Sequence, residues 1–469
     1  MYPDRTPHTG LLEYKNIWRP VRVVSFEQQK GEVTLRNETD FMKLHDFVQI
    51  AYELTCDGQV IETGLIAQNL LPEINPREDG VFVLPFMASL PVAGKCYVKL
   101  TYTLPDQKQK LQQKFDQMLD RNHVLPEGHV LGFDEICLAT KDNRNQMVAQ
   151  WLGDEMKQKE GANGDKSVNE NKAAKEESGT TCFTVEEDDR YLHIKTKDFY
   201  YIYHKLQGSF AQLTYQGQPF LTRPMEYNIW RAPIDNDVHI KKEWLRANYD
   251  RITVSGRDTS WQQAAGSLRI TTTVAVAAVS VQRILTITAK WEIKEAGRID
   301  LDLRVHKAPE LPPLPRFGIR MFVPQTLQQV TYCGLGPTEN YVDKRHSVWH
   351  QIFHTDVSKL YEDYIRPQEN GSHSDCDYVV LRDETKELIV LAEQTFSFGV
   401  SCYTQEELTK KAHNYELVPC GDTVFCIDYR QTGMGSASCG PKLKEDYVFA
   451  DTDFEMRFSV QPRMLGAGE

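Results

Sequence analysis

Short runs rich in β-branched and aromatic residues, some of them alternating apolar and polar with a period of two, recur along the chain and predict β-strands rather than helices. In the first part the pattern recurs in short runs: IWRPVRVVSF (17–26), GEVTLRNET (31–39), DFVQIAYELTCDGQVIETG (46–64), VFVLPF (81–86), CYVKLTYTL (96–104) and HVLGFDEICLAT (129–140). Asp57-Gly58 interrupts the third run and predicts a tight hairpin. About seven short strands with turns at regular intervals predict an immunoglobulin-like sandwich. QKQKLQQKFDQMLDRNH (107–123) departs from the pattern and has the residue types of one short helix.

Strand-like runs resume after Cys182, with period-two alternation over 268–293. LRITTTVAVAAVSVQRILTITAKWEI (268–293), IDLDLRVH (299–306), RFGIRMFVP (316–324), KELIVLAEQ (386–394), FSFGVSCY (396–403) and FEMRFSVQP (454–462) predict further strands. Strands do not alternate with long helical stretches, which excludes a (β/α)8 barrel and a doubly wound nucleotide-binding sheet. No GxGxxG follows a strand, and GxxxxGK[ST] is absent from the sequence. This stretch is large for one immunoglobulin-like module, and a bigger double-sheet sandwich fits it. Between the two β-rich parts, DEMKQKEGANGDKSVNENKAAKEESGT (154–180) has no aromatic residue, so it has little apolar surface to offset its ordering entropy. The predicted organisation is a sandwich over 1–152, a charged flexible linker over 153–181 and a super-sandwich over 182–469. The class is all-β.

Composition narrows the function classes. The chain has 469 residues, with 54 Lys plus Arg against 66 Asp plus Glu, a net charge of -12. That balance argues against nucleic-acid and anionic-membrane binding, which need concentrated positive charge. No apolar run is long enough for a membrane-spanning helix, and MYPDRTPHTG lacks a secretory core, so the expectation is a cytoplasmic protein. The ten cysteines include no CxxC pair, which removes the zinc-ribbon and thioredoxin readings and predicts reduced, mostly buried thiols.

Four clusters of polar residues and glycine are candidates for chemistry. The first is Trp230-Arg231-Ala232-Pro233-Ile234-Asp235-Asn236-Asp237, whose three adjacent oxygen-bearing side chains suit either a hard cation or, more simply, a turn. The second runs from Gly334 to Arg345 and contains Glu339. The third is Arg366-Pro367-Gln368-Glu369-Asn370-Gly371. Glycoside hydrolysis needs two carboxyl groups flanking the scissile bond, and Glu339 and Glu369 are the pair to weigh against ordered loops that bond their carboxylates to backbone or arginine. The fourth, Gly435-Ser436-Ala437-Ser438-Cys439-Gly440-Pro441, is a small-residue loop that allows close approach of a ligand. Cys439 as a nucleophile would need a base that the sequence does not place. His346, His350 and His354 would share one face only on a helix, and their surroundings predict strand and loop instead.

In this order the four clusters resemble the C-terminal part of the large bacterial β-galactosidases of the lac-operon type, in glycoside hydrolase family 2. WRAPIDND, GLGPTENYVDKR, IRPQENG and MGSASCGP each resemble a family block, as do LQGSFAQLTYQGQPFL (206–221) and YTQEELTKKAHNYEL (403–417). PDRTPHTGLLEYK (3–15) and PEGHVLGFDEICL (126–138) resemble segments bounding the sandwich that follows the catalytic barrel. The resemblance implies an immunoglobulin-like sandwich followed by a galactose-mutarotase-like super-sandwich. It also implies that the barrel, its two catalytic glutamates and its Mg and Na sites lie outside this chain, leaving no catalytic residue, metal or cofactor here. The family places a sugar-stacking Trp on the loop seen here as GSASCGP. The register from Pro441 puts Cys439 at that position, so the substrate-facing residues implied are Ser438, Cys439 and Gly440.

The expected function is a non-catalytic C-terminal part or small subunit of a β-galactosidase, acting on terminal β-galactosides such as lactose through a barrel-bearing partner. A stand-alone carbohydrate-binding module is the alternative. A mutarotase-like epimerase is the third, with His373 or His413 and Glu339 or Glu369 as its acid and base.

Overall fold

A computed structural model of the chain describes residues 1–85, 90–91, 93–105, 125–126, 128–138, 183–264, 266–279, 282–435 and 437–466. The stretches expected as a helix (107–123) and a linker (153–181) lie outside the described residues. The all-β expectation is borne out, with strands dominating both of the compact units into which the chain divides. Unit 1 is Met1–Gln146 with Arg345–Ile352, and unit 2 is Met147–Lys344 with Phe353–Glu469.

Unit 1 is a sandwich of two antiparallel sheets. Its strands are β1 (Val21–Glu27), β2 (Glu32–Asn37), β3 (Gln49–Cys56), β4 (Gln59–Leu65), β5 (Asp79–Val83), β6 (Cys96–Thr103) and β7 (Val130–Leu138). One sheet runs β1-β2-β5 and the other β4-β3-β6-β7. The alternation does what it predicts: Val33 and Leu35 of β2, Ile50 and Leu54 of β3, and Val98, Leu100 and Tyr102 of β6 all point into one core. The hairpin forms at Asp57-Gly58, where both residues take a positive φ (50° and 78°).

Of the elements not foreseen, one bears on unit 1. Helix α1 (Thr9–Ile17) precedes β1, which therefore begins at Val21 rather than at Ile17. The buried residues of α1 are polar: Thr9, Glu13 and Asn16. Glu13 accepts the backbone N–H groups of His346 and Ser347, each at 2.7 Å, and Asn16 bonds both N and O of Phe133 on β7. The short segment Arg345–Ile352 is further held by Glu135, which accepts the N–H of His350 at 2.8 Å. Tyr97 stacks on the His350 ring at 4.7 Å, and Lys99 lies 4.0 Å over Trp349.

Unit 2 holds a five-stranded meander over residues 184–219 and a twelve-stranded sheet. The path of the large sheet runs Arg223–Asn228, Arg316–Val323, Thr423–Gln431, Lys386–Ser401, Asp453–Met464, Ile299–Lys307, Leu285–Lys294, Ser267–Ala278 and Ile252–Ala264. The two runs predicted at 386–394 and 396–403 are one continuous strand. A large apolar core lies in this unit, with Phe210, Trp291, Phe317 and Phe398 among its members. Trp291 packs edge-on against Phe210 at 5.1 Å, and its Nε1 donates to Gly208 O at 3.1 Å, so the indole is buried with its polar atom satisfied. The chain neighbours in the first half of this path place Arg316, Asp428 and the loop after Gln431 at the same end of the sheet, which is where the polar clusters gather.

Candidate functional site

The four sequence clusters, apart from Arg345, lie in unit 2, where the first and second hold the fourth in place and the third is tied to the first. Arg231 is fully buried. It pairs with Asp237 at 2.8 Å and also donates to the carbonyls of Thr432 and Gly433. Asp343, from the second cluster, accepts Met434 N at Oδ1 (2.9 Å) and Gly435 N at Oδ2 (2.7 Å). Gly433 is needed for that approach, because a Cβ there would sit 2.7 Å from the Asp343 carboxyl. Asn236 donates to Gly435 O and accepts from Ser438 Oγ at 2.9 Å. The backbone from Thr432 to Gly435 is thus gripped from both sides by charged or amide groups.

Beyond those anchors the loop turns outward. Ser438, Cys439 and Gly440 are all exposed, and Ser438 Oγ lies 3.5 Å from Cys439 Sγ. Ser436 lies outside the described residues. The arrangement presents a hydroxyl, a thiol and backbone on a rigid base, with small side chains that leave room for a partner.

Under the loop lies a buried ionic network. Arg316 bonds Asp428 through two nitrogens and reaches Glu369 Oε1 at 3.0 Å. Gln431 Nε2 contacts Asp428 at 3.3 Å and Ser372 Oγ at 3.2 Å. Burial raises the Glu369 and Asp428 carboxyls, and Arg316 opposes that rise in both. The guanidinium itself stays charged, since its two carboxylate partners outweigh the cost of burial. Glu369 N also donates to Ala232 O at 3.0 Å, which ties the third cluster to the first.

Glu339 is buried too, but it is held the other way. Burial raises its carboxyl, yet Lys344 at 2.6 Å, Tyr364 OH at 2.5 Å and Gly371 N at 2.8 Å together bring it below the usual range. Both glutamates are therefore engaged by protein partners rather than facing solvent, which is the ordered-loop alternative weighed from the sequence. Asp235, Asn236 and Asp237 likewise bond three different groups, Arg366, the loop and Arg231, so they form a turn and not a shared ligand set.

The histidines separate. His350 is buried on a strand (Trp349–Asp356) against Tyr97, in line with the strand-and-loop surroundings read from the sequence. His346 and His354 are exposed. His373 lies buried between the carbonyls of Gly371 (3.2 Å) and Pro337 (3.3 Å), and burial lowers its basicity. His413 stacks on Tyr415 at the surface. Sequence reading missed Arg316 and Asp428. Their signal was charge within largely apolar strands, RFGIRMFV with Arg316 and Arg320 and TVFCIDYRQ with Asp428 and Arg430, which calls for buried counter-charges.

Comparison with known proteins places this architecture. A family profile described as "Beta galactosidase small chain" matches residues 195–461, and one described as "Beta-galactosidase, domain 4" matches residues 33–139. The β-galactosidase of Actinobacillus pleuropneumoniae is 33% identical over 458 residues, covering 98% of this chain and 40% of that protein. That of Staphylococcus xylosus is 27% identical over 463 residues, covering 98% and 42%. The chain thus spans about two-fifths of the length of the curated relatives it matches. Among solved structures, a galactose 1-epimerase from Lactobacillus acidophilus aligns at a TM-score of 0.35 and 8% identity, over 62% of this chain and 100% of that one. The first profile covers more than half of the chain and contains all four clusters that build the anchored loop, so the chain belongs to the β-galactosidase small-chain family.

Proposed function

We propose that this chain is the non-catalytic C-terminal part of a β-galactosidase, and that it works when joined to a partner bearing the catalytic barrel. In this reading it brings no cofactor. It contributes the loop at Ser438, Cys439 and Gly440 to the rim of the partner's galactoside site, in the cytoplasm. The observation that carries the reading is the loop itself. Three buried or half-buried side chains, Arg231, Asp343 and Asn236, fix its base, yet its tip is fully presented to an outside group. Rigid support for an exposed, small-residue tip is what a borrowed binding element needs.

The surface of α1 supports a partner. Its polar face is buried, while Leu11 (36% exposed), Tyr14 (58%), Ile17 (40%) and the adjoining Trp18 (70%) form an apolar stripe in solvent. A stripe with two large aromatic residues suits protein contact better than water. The occupant in this reading is the part of the relatives that lies outside the two-fifths this chain matches. Among the described residues no helix is long and apolar enough to cross a membrane.

The test mixes the chain with the remaining portion of the Actinobacillus pleuropneumoniae relative and follows complex formation by analytical ultracentrifugation. A stoichiometric complex supports the proposal, and two independent species sink it. Calorimetric titration of galactose into the chain alone separates the carbohydrate-module alternative: millimolar or tighter binding would favour a module over a subunit.

A further inference from the structure

The central strands of the four-stranded sheet in unit 1 carry a pair of cysteines that the proposed function does not use. β3 and β6 pair antiparallel with Cys56 directly opposite Cys96. At the next position Asp57 N donates to Lys95 O at 2.9 Å, which makes that pair the hydrogen-bonded one. Cys56 and Cys96 therefore occupy a non-hydrogen-bonded pair, where facing Cα atoms approach to about 4.5 Å and side chains lean together. That spacing falls inside the range a disulfide spans, roughly 4.4–6.8 Å. The thiols already contact each other, and no disulfide joins them.

Two further features suit the pair to react. Gly94 leaves the space in which the Cys56 sulfur sits, since a Cβ there would lie 2.4 Å from it. Cys96 is fully buried, whereas Cys56 is half-buried, so an incoming reagent meets Cys56 first.

We propose that Cys56 and Cys96 form a cross-strand dithiol site that closes to a disulfide by exchange with a small-molecule disulfide. The Cys56 thiolate attacks the reagent RSSR, forming a mixed disulfide and releasing one RS⁻. The Cys96 thiolate then attacks the Cys56 sulfur and releases the second RS⁻. The two thiol protons pass to the released thiolates through solvent. The dithiol is oxidised by two electrons, and RSSR is reduced to two RSH. Burial, with the Asp57 carboxylate, keeps the Cys56 thiol above its ordinary value, so exchange is slow at neutral pH and faster in mild base. A reducing compartment holds the site open, and oxidative exposure closes it.

Closure would brace the part of the sheet that carries the Arg345–Ile352 segment. Gly58 O, two residues past Cys56, accepts Ile352 N at 2.9 Å, and Tyr97, next to Cys96, stacks on His350. A cross-link at this point removes chain entropy from the unfolded state and raises the melting temperature of unit 1 by roughly 5 °C or more.

The test treats the full chain with excess oxidised glutathione at pH 8, quenches it in denaturant with an alkylating agent and maps the peptides by mass. The expected product is a single Cys56–Cys96 cross-link, reversed by dithiothreitol, with a higher melting temperature than the reduced chain. Cys56→Ser abolishes both effects. Full alkylation of Cys56 and Cys96 after oxidant would overturn the proposal, as would glutathione retained on Cys56 without closure. The mapping on the unaltered chain decides the matter even where the variant fails to fold.

Discussion

Asp343→Asn tests whether the outward loop is held as its geometry implies. The carboxylate uses one oxygen for Met434 N and the other for Gly435 N, at 2.9 and 2.7 Å. An amide keeps one acceptor and turns an NH2 group toward the second N–H. One bond to a charged group is lost, worth about 1.5–3 kcal/mol, and the donor left behind faces another donor. The Arg231 and Asn236 contacts remain, so the loss falls on local opening of residues 432–440 and not on the whole unit. A local loss of about 2 kcal/mol corresponds to roughly thirtyfold faster exchange of those amides. Hydrogen-exchange mass spectrometry of the peptide spanning Thr432 to Gly440 measures it directly. The reasoning fails if exchange there is unchanged, or if the whole of unit 2 accelerates equally.

Three further outcomes follow from the same structure. Arg316→Met leaves Glu369 and Asp428 buried without their cation, and should cost about 3–5 kcal/mol in denaturant unfolding; adding Glu369→Gln and Asp428→Leu should recover part of that loss. Burial pushes the Glu135 carboxyl up to about 7, so the folded state binds the extra proton and unit 1 loses stability as pH rises from about 4.5 to 7. The loss is at most roughly 3 kcal/mol and is flat above that window; Glu135→Gln should remove this slope from melting curves taken across it, and an unchanged slope refutes the assignment. Trp18→Ser, on the exposed stripe, should leave the melting temperature of the isolated chain within a degree or two and weaken assembly with the barrel-bearing portion by about tenfold or more in sedimentation.

Sequence alternation revealed strands with one buried and one wetter face, such as β6, where buried and half-buried positions alternate without a break; Arg316–Val323 and Thr423–Gln431 of the large sheet are buried on both faces and read instead as apolar runs. Periodicity missed α1 for a different reason. The helix buries Thr9, Glu13 and Asn16 and exposes its apolar residues, so no periodic rule reads its inner face correctly. The four polar clusters were legible because turns and close approaches need Gly, Pro, Asn and Asp at particular places. Their convergence was not. Asp343 meets Gly435 across 92 residues and Arg316 meets Asp428 across 112, and nothing local encodes such pairings. The fate of Glu339 and Glu369 was decided by those partners: the same residue type that serves as a catalytic acid on an open surface becomes an ion-pair member under a lysine or an arginine.

The most direct measurement of the central proposal is hydrolysis of a β-galactoside by the purified chain, by the purified barrel-bearing portion of the Actinobacillus pleuropneumoniae relative, and by their mixture. The account predicts no turnover by this chain alone at any concentration, and turnover in the mixture that rises with added chain and saturates at one chain per partner. Hydrolysis by the isolated chain, or a mixture no more active than the partner alone, would contradict it.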